Sequence, residues 1–332
     1  MNRIRTILLS RADSIGDVVL TLPMAGVLKE IMPEVKILFL GKDYTRDVVA
    51  LSEHVDEFIS YDELQKIGIS EQIQFLKSKE IDCSVHVFPK QDLAILFKKT
   101  QIPIRAGTTN RLYHWFNCNK LIKLSRKNSE LHEAQLNLKL IEFLGAKPAY
   151  NLKQIKSYYG FTRVPALQPE FAELIDKQKQ NIILHPKSKG SAREWGLKNF
   201  DGLIKLLPED KFKVFISGTK EEGAMVKDLL KNNPRVIDIT GKMNLQQFIA
   251  FINACDGMVA ASTGPLHIAA ALGKKAIGLF APMRPIHPER WAPIGEQASS
   301  LVLDKNCVDC KKTQDCVCIR SIKPEDVLSH LQ

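Results

Sequence analysis

Short apolar segments of strand length alternate with amphipathic segments of helix length along this chain, and this alternation constrains the fold most. Strands are predicted at 6–10, 35–40, 57–60, 83–88 and 102–107, then at 181–185, 212–217, 236–239, 257–261 and 276–280. Helices are predicted at 17–31, 61–78, 91–99, 130–144, 197–207, 221–231, 245–254 and 265–272. Such alternation is typical of parallel sheets built from βαβ units.

The alternation lapses between residue 153 and about residue 171, which separates two strand–helix arrays. A chain of 332 residues is also long for a single core. We therefore predict an α/β fold of two parallel-sheet domains facing each other, with domains at 1–160 and 161–332. A ligand would bind between them, outside the carboxyl ends of the strands.

Charge and hydropathy narrow the functional classes. The net charge of +10 favours anionic partners such as nucleic acid, acidic lipid or a phosphorylated sugar, or serves solubility alone. We find no nucleic-acid recognition motif and no basic patch interleaved with aromatic residues. No apolar run is long enough to span a membrane, and the first residues lack the features of a signal peptide. We therefore expect a cytoplasmic protein.

The segment 262–273 carries the clearest ligand signal. It follows the predicted strand at 257–261 and opens a helix, whose free N–H groups and dipole suit a bound phosphate. Thr263 and Gly264 are small enough to let a diphosphate approach the backbone, and Pro265 suits the first helical position. His267 would project from the first turn, so we predict a nucleotide-type ligand here.

The turn after the first strand, residues 11–16, leads to a carboxylate at the start of a helix. Asp17 is there either as an N-cap or as a general base that faces the ligand. Asp13 is a competing carboxylate in the same turn, and spacing alone does not separate the two. Arg11 and Asp13 are candidate acceptor contacts.

The junction 185–195 follows the first strand of the second array and is rich in cations and hydroxyls. Its candidate ligand contacts are Lys187, Ser188, Lys189 and Arg193. They suit a diphosphate leaving group, although a solvated basic loop would look the same. The chain has neither a P-loop nor a G-x-G-x-x-G motif after a strand. After a later strand, Glu222 could hold ribose hydroxyls or simply open a helix.

Four of the seven cysteines, Cys307, Cys310, Cys316 and Cys318, lie close together near the C-terminus. In a cytoplasmic protein such a cluster favours a metal site, such as structural zinc, over disulfides. The Cys-x-Cys spacing is tight for chelation by both sulfurs, which leaves the metal open. The other three, Cys83, Cys118 and Cys255, are predicted core residues.

The order and spacing of several motifs resemble glycosyltransferase family 9, the lipopolysaccharide heptosyltransferases. The matching segments are 16–23, His132-Glu133, His185 with 193–195, 239–242 followed by Leu245, 262–271, and the cysteine-rich tail followed by 322–327. The resemblance implies a GT-B fold, in which two Rossmann-like domains face each other across a cleft. It implies an N-terminal acceptor domain and a C-terminal nucleotide-sugar domain.

The activity implied by the resemblance is transfer of heptose from ADP-heptose to the lipid A–Kdo inner core, with inversion and without a metal. Asp17 matches the family's catalytic base, and Arg193 falls near its phosphate-contacting lysine. Thr263, Gly264 and His267 match the diphosphate-binding turn. Further candidates are Ser188 and Glu222 for the donor and Lys187 for the acceptor.

One departure from the family pattern bears on the donor. Ser262 stands where many members have aspartate, so a donor-contacting carboxylate is missing and a UDP- or GDP-sugar is the alternative. A non-catalytic nucleic-acid-binding protein is a further alternative, supported by charge alone. The implied acceptor is a phosphorylated glycolipid, so we expect a peripheral enzyme on the anionic inner face of the inner membrane, attached electrostatically.

Overall fold

The computed structural model describes residues 4–126, 129–284, 286–303, 307, 309–311 and 315–332. It divides into two compact units, Met1–Arg163 and Val164–Gln332, whereas the sequence analysis placed the boundary after residue 160. Within the described residues, each unit has a six-stranded sheet in which every pair of neighbouring strands is parallel. The predicted parallel α/β architecture is therefore confirmed.

The N-terminal unit contains the first half of the strand–helix alternation. Its strands are β1 Thr6–Ser10, β2 Lys36–Gly41, β3 Glu57–Ser60, β4 Cys83–His86, β5 Ile104–Thr108 and β6 Lys120–Ile122. Its helices are α1 Ile15–Val19, α2 Pro23–Ile31, α3 Arg46–Val49, α4 Tyr61–Lys66, α5 Ile69–Ser78, α6 Gln91–Lys99, α7 Leu112–Asn117, α8 Glu133–Lys139 and α9 Leu152–Ile155. Short 3₁₀ segments occupy Asp43–Thr45, Glu142–Leu144 and Lys156–Tyr158.

The C-terminal unit repeats the pattern. Its strands are β7 Gln180–His185, β8 Phe212–Ile216, β9 Ile237–Asp238, β10 Gly257–Ala261, β11 Lys275–Leu279 and β12 Ala298–Leu301. Its helices are α10 Pro169–Ala172, α11 Leu197–Leu206, α12 Lys220–Met225, α13 Lys227–Asn232, α14 Leu245–Ala254, α15 Gly264–Ala271, α16 Pro288–Trp291, α17 Val317–Arg320 and α18 Pro324–Leu331. A 3₁₀ segment spans Asp309–Lys311.

Both sheets reverse their strand order at one point near the middle. The orders are β3-β2-β1-β4-β5-β6 and β12-β11-β10-β7-β8-β9. The first connection therefore leads away from β1 on one side, and a later one returns to β4 on the other, and the same holds for β7 and β10. In open α/β sheets, ligands bind outside the carboxyl ends of the two strands at such a reversal. Ligand sites are therefore expected at the turns after β1, β4, β7 and β10.

The central strands have the composition expected of strands covered on both faces. All residues of β1 and of β10 are buried. Such strands are continuously apolar because helices pack on both sides of the sheet. In the C-terminal unit, the buried core includes Trp195, Phe200 and Ile319, so the cysteine-rich tail belongs to that core.

Aspartates fix the register of the sheets at their amino ends. Asp82, immediately before β4, accepts hydrogen bonds from the backbone N–H groups of Arg5 (2.7 Å) and Thr6 (3.0 Å) at the start of β1. In the C-terminal unit, Asp256 precedes β10 and accepts from the N–H of Asn181 (2.7 Å) at the start of β7. The same device therefore joins the two reversal strands in both units.

Several predicted helices are divided in the structure. The helix expected at 17–31 is broken because Pro23, which has no N–H to continue the ladder, begins α2. The helix expected at 61–78 ends at Lys66, and α5 restarts after Gly68, whose N–H donates to Glu71 (3.0 Å). The helix expected at 221–231 is divided at Val226. The short edge strands β6 and β12 were not predicted, because neither has a continuous apolar run.

Candidate functional site

A buried arginine organises the carboxyl end of β1. The Arg11 side chain is 4% exposed, and its Nε donates to Asp13 Oδ1 at 2.8 Å. Its Nη2 donates to Asp17, and its Nη1 donates to Glu133 Oε1 at 3.2 Å. These four residues, called the Arg11 cluster below, bring the predicted Arg11, Asp13 and Asp17 together. The cluster lies at the carboxyl end of β1, where the strand order of the sheet reverses.

Helix α8 supplies the far side of the cluster. Glu133, its first residue, and Asn137, one turn later, point at Arg11, and the Asn137 amide oxygen accepts from Arg11 at 3.4 Å. Arg126 also donates to Glu133 and Asn137, the latter at 2.9 Å. The sequence analysis did not assign Arg126 or Asn137, and it used Glu133 only as part of a family motif. The available signal was polar residues four apart on a helix that otherwise packs inward.

Asp17 lies in the first turn of α1 but does not cap it. The N-cap residue is Ser14, so the interpretation of Asp17 as an N-cap is wrong. Ser14 Oγ donates to the Asp17 carboxylate, and the Asp17 backbone carbonyl accepts from Thr21 Oγ1 at 2.8 Å. Arg11 and Ser14 thus hold the Asp17 carboxylate. It still reaches solvent, because the side chain is 18% exposed.

The charges of the Arg11 cluster and of Arg126 together do not balance when every carboxyl group is ionised. Arg11 and Arg126 face three carboxylates, those of Asp13, Asp17 and Glu133. Burial raises the pKa of Asp13 to about 6; Arg11 opposes this rise and Asp17 adds to it. Burial alone would lower the pKa of Arg11, but the nearby carboxylates raise it. A proton on Asp13 would make the five groups neutral overall.

The second candidate site lies after β7 and β10. These strands are adjacent and parallel, with His185 at the end of β7 opposite Ala260 of β10. Thr263 is the N-cap residue of α15, yet its side chain makes no capping hydrogen bond. Its Oγ1 is buried and, among the described residues, has no hydrogen-bond partner. A buried hydroxyl of this kind at a helix N-terminus is expected where a ligand supplies the partner.

The rest of this turn follows the predicted order with one change. Helix α15 begins at Gly264, so Pro265 is its second residue rather than its first. Ser262 and Gly264 are partly exposed, whereas His267 is buried. The N-terminus of this eight-residue helix therefore lies where the strand order of the sheet reverses.

The loop after β7 is closed by Glu194. Its carboxylate accepts from the Ser188 N–H (3.1 Å) and Ser188 Oγ (3.2 Å), and also from Lys187 Nζ. Lys189 and Gly190 at the loop tip have positive φ values of 49° and 79°. Arg193 Nη2 donates to the carbonyl of Cys310 at 3.2 Å. Lys187 and Ser188 are thus engaged within the loop itself, and Glu194 is the residue that the sequence analysis did not assign.

Glu222 opens a helix. Its carboxylate accepts from the Thr219 N–H at 2.8 Å, and its own N–H donates to Thr219 Oγ1 at 3.2 Å, which forms a capping box at α12. Of the two roles considered for Glu222, the one seen in the structure is that it opens helix α12. The ribose contact stays a prediction.

The four tail cysteines converge. Cys310 Sγ lies 3.6 Å from Cys307 Sγ and 2.9 Å from Cys316 Sγ. The Sγ atoms of Cys307, Cys310 and Cys318 all lie within 4.8 Å of one another. All are free thiols, and Cys83, Cys118 and Cys255 are buried as predicted. In the part of the chain that is described, Cys307, Cys310 and Cys318 form a group with the composition and spacing of a metal site.

None of the helices in the described ranges has the length and apolar character needed to cross a bilayer.

Two solved structures share the fold of this chain. A glycosyl transferase family 9 structure from Veillonella parvula matches with a TM-score of 0.77 at 20% identity, over 98% of this chain and 95% of that one. Escherichia coli ADP-heptose lipopolysaccharide heptosyltransferase II matches with a TM-score of 0.72 at 17% identity, over 99% and 97%. The fold is therefore that of the GT-B glycosyltransferases, which confirms the predicted fold class.

The sequence then defines the family. The family model described as glycosyltransferase family 9 (heptosyltransferase) matches residues 72–318. A candidate glycosyltransferase of Haemophilus influenzae is 26% identical over 92% of this chain and 88% of its own length. The lipopolysaccharide core heptosyltransferase OpsX of the same organism is 22% identical over 87% and 82%. This chain belongs to glycosyltransferase family 9. It is an enzyme of the heptosyltransferase-like group, and the resemblance found in the sequence is confirmed.

Proposed function

We propose that this enzyme transfers heptose from ADP-heptose to a phosphorylated lipid A–Kdo acceptor of the lipopolysaccharide inner core, with inversion at the anomeric carbon. The observation that carries the proposal is the buried Thr263 hydroxyl at the N-terminus of α15, which has no hydrogen-bond partner in the described part of the chain. It supports a donor diphosphate at the reversal point of the C-terminal sheet. The Arg11 cluster at the equivalent point of the N-terminal sheet supports a site for the acceptor.

In this proposal Asp17 is the catalytic base. It takes the proton of the acceptor hydroxyl as that oxygen attacks the anomeric carbon and the bond to ADP breaks. Arg11 and Ser14 hold the carboxylate in place, while Glu133 and Asn137 hold Arg11. Inversion needs one base and a stabilised leaving group, so the transfer requires no metal cofactor.

Donor binding is assigned to the C-terminal unit. The backbone N–H groups and the positive dipole end at Thr263 and Gly264 would bind the diphosphate and stabilise the charge that grows as ADP leaves. Arg193 would add a cation, and Ser262, Ser188, His267 and Glu222 remain candidate contacts. Lys187 remains a candidate acceptor contact.

An exposed apolar helix supports a membrane-bound acceptor. On α7, Leu112 is 75% exposed, Trp115 57% and Phe116 67%. This helix follows β5 at the same sheet edge as the Arg11 cluster, because His114 of α7 stacks on His86, which pairs with Ser10 of β1. Lys98 and Arg111 are exposed beside it. We assign α7 to shallow insertion into an anionic bilayer at the inner face of the inner membrane, so attachment is apolar as well as electrostatic.

A calorimetric titration with ADP, UDP and GDP tests the donor assignment. We expect selective binding of ADP, weakened about tenfold in Thr263→Val and retained in Thr263→Ser, because one hydrogen bond to a charged group contributes about 1.5 kcal/mol or more. Selective binding of UDP or GDP would instead support the second candidate, another nucleotide-sugar donor. Ser262, in place of the aspartate expected from the resemblance, is the observation that favours this alternative.

The base assignment is tested by kinetics. Asp17→Asn is expected to fold normally and to lose at least a hundredfold in kcat, since general-base catalysis contributes about 10² to 10⁴. Asp13→Asn is the matched comparison, because Asp13 also contacts Arg11, and it should lose much less in kcat than Asp17→Asn. If Asp17→Asn remains active and Asp13→Asn does not, the base is Asp13.

Vesicle sedimentation tests the membrane assignment. We expect binding to phosphatidylglycerol vesicles and weaker binding to phosphatidylcholine vesicles. The double variant Trp115→Ala, Phe116→Ala should bind at least fivefold less well, since each ring would bury apolar surface. Met225→Ala, which removes a side chain 59% exposed in the C-terminal unit, is the control. Equal binding of all three proteins would refute the role of α7.

A further inference from the structure

We propose that Cys307, Cys310, Cys316 and Cys318 form a structural thiolate site for one divalent ion of the zinc or iron class, and that this site positions Arg193. The four side chains come from two short segments. Cys307 and Cys310 flank the start of a 3₁₀ turn, and Cys316 and Cys318 lie at the start of α17. Thiolate ligands select ions of this class over magnesium or calcium.

Three of the four sulfurs, those of Cys307, Cys310 and Cys318, have the spacing of a tetrahedral site. At a zinc–sulfur distance of about 2.3 Å, neighbouring sulfurs are about 3.8 Å apart. Cys310 Sγ is 3.6 Å from Cys307 Sγ, and both lie within 4.8 Å of Cys318 Sγ. Cys316 Sγ is 2.9 Å from Cys310 Sγ, and a change in its side-chain position would let it complete the set as the fourth ligand. A disulfide would require about 2.05 Å, and the four cysteines are free thiols, so each sulfur is available as a separate ligand.

The surroundings explain why an ion is needed. Cys310 and Cys316 are each 2% exposed and pack with Ile319 and Ile322 in the core of the C-terminal unit. The local elements are a three-residue 3₁₀ turn and a four-residue helix. Elements this short are not stable by themselves, because helix nucleation is unfavourable. A bound ion would hold the two segments together in place of a larger apolar core.

The site is joined to the loop that follows β7. The carbonyl of Cys310, a proposed ligand residue, accepts from Arg193 Nη2 at 3.2 Å. Further along, Trp195 Nε1 donates to the carbonyl of Ile322 at 2.9 Å. Because Cys310 fixes this carbonyl, the ion would determine where the guanidinium lies. This second part rests on the proposed contact of Arg193 with the donor diphosphate.

Metal content tests the site itself. The full chain is purified with a reductant and without chelators, and zinc and iron are measured by elemental analysis. We expect about one ion per chain, loss of at least 90% of it in Cys310→Ser, and no loss in Cys255→Ala, the buried cysteine outside the cluster. Much less than one ion per chain, or unchanged content in Cys310→Ser, would overturn the site. So would a titration showing two fewer free thiols, because a disulfide would then occupy the cluster.

A second variant guards against misfolding of Cys310→Ser. Cys318 is only half-buried, so Cys318→Ser should keep the far-ultraviolet circular dichroism spectrum of the parent while losing most of the metal. Replacement of the ion by cobalt should give the intense visible absorption of tetrahedral thiolate coordination in the parent, reduced in this variant. An unchanged cobalt spectrum in Cys318→Ser would remove Cys318 from the ligand set.

The coupling to Arg193 is tested by ADP titration of metal-loaded and metal-depleted protein. We expect metal loss to weaken ADP binding about tenfold in the parent and not further in Arg193→Ala. Equal effects of metal loss in both proteins would show that the ion acts on general stability and would refute the coupling. Stoichiometric metal without any ADP binding would leave the site standing and refute the proposed donor instead.

Discussion

Replacement of Asp13 by asparagine should make the enzyme relatively more stable as the pH rises. The carboxylate of Asp13 is largely buried, with its side chain 19% exposed, and this burial, together with the nearby Asp17 and Glu133, raises its pKa from 3.8 to about 6. Asparagine has the same shape, and its amide oxygen can still accept from Arg11 Nε, but it carries no charge. The variant therefore removes the charge and keeps the hydrogen bond.

The size of the effect follows from linkage. The folded protein holds the Asp13 proton more tightly than the unfolded chain does, so the free energy of unfolding falls as the pH rises from about 4 to about 6. A pKa raised from 3.8 to about 6 corresponds to about 3 kcal/mol in total. The difference between Asp13→Asn and the parent should accordingly grow by about 2 to 3 kcal/mol in favour of the variant between pH 4 and pH 7.

Urea unfolding at pH 4 and at pH 7, followed by circular dichroism, measures this difference. Asp210→Asn, which changes an exposed aspartate, is the control and should show no such growth. Carbon NMR with labelled aspartate gives an independent value: the resonance missing from Asp13→Asn should titrate near pH 6 in the parent. A midpoint below about 4.5, or a stability difference that does not change with pH, would refute the charge argument for the Arg11 cluster.

Two further predictions concern the N-terminal unit. Burial beside His114 lowers the pKa of His86 to about 3. The free energy of unfolding of the parent should therefore fall by about 2 kcal/mol as the pH falls from 6.5 to 5, because the unfolded chain binds the proton more readily. Urea unfolding of His86→Phe should not show this fall. A loss of equal size in His86→Phe would contradict this. Gly26→Ala should lower the free energy of unfolding by about 1 to 3 kcal/mol, because an added Cβ atom would overlap the backbone oxygen of Tyr158. A thermal midpoint unchanged by more than 1 °C would show that the contact relaxes.

The two sheets could be predicted from the sequence because their signal is local. Apolar runs and the helices between them can be recognised within ten to fifteen residues, and the turns that bear Asp17 and Thr263 follow directly from them. The breaks at Pro23 and Gly68 were missed because the amphipathic pattern continues through them. The edge strands β6 and β12 were missed because they are short and only partly buried.

The partners of the candidate residues could not be predicted, because they are distant in sequence. Arg11 meets Glu133 across 122 positions, and only the reversal of strand order brings them together. Helix α7 was missed for another reason. The spacing of Leu112, Trp115 and Phe116 is compatible with a helix that packs inward, and only the structure shows that these side chains are exposed.

Aspartates at the amino ends of the strands and aspartates at the carboxyl ends should be constrained for different reasons, the first by folding and the second by catalysis. Asp82 and Asp256 join the first and fourth strands of their units at the amino ends, far along each strand from the proposed chemistry. Asp13 and Asp17 lie beyond the carboxyl end of β1. A saturation library scored separately for protein abundance and for glycan product would therefore divide these carboxylates: changes at the amino edge would lower abundance, and changes at Asp17 would leave abundance intact and abolish product. The position of a carboxylate along the strand direction would then predict whether its replacement lowers abundance or lowers product.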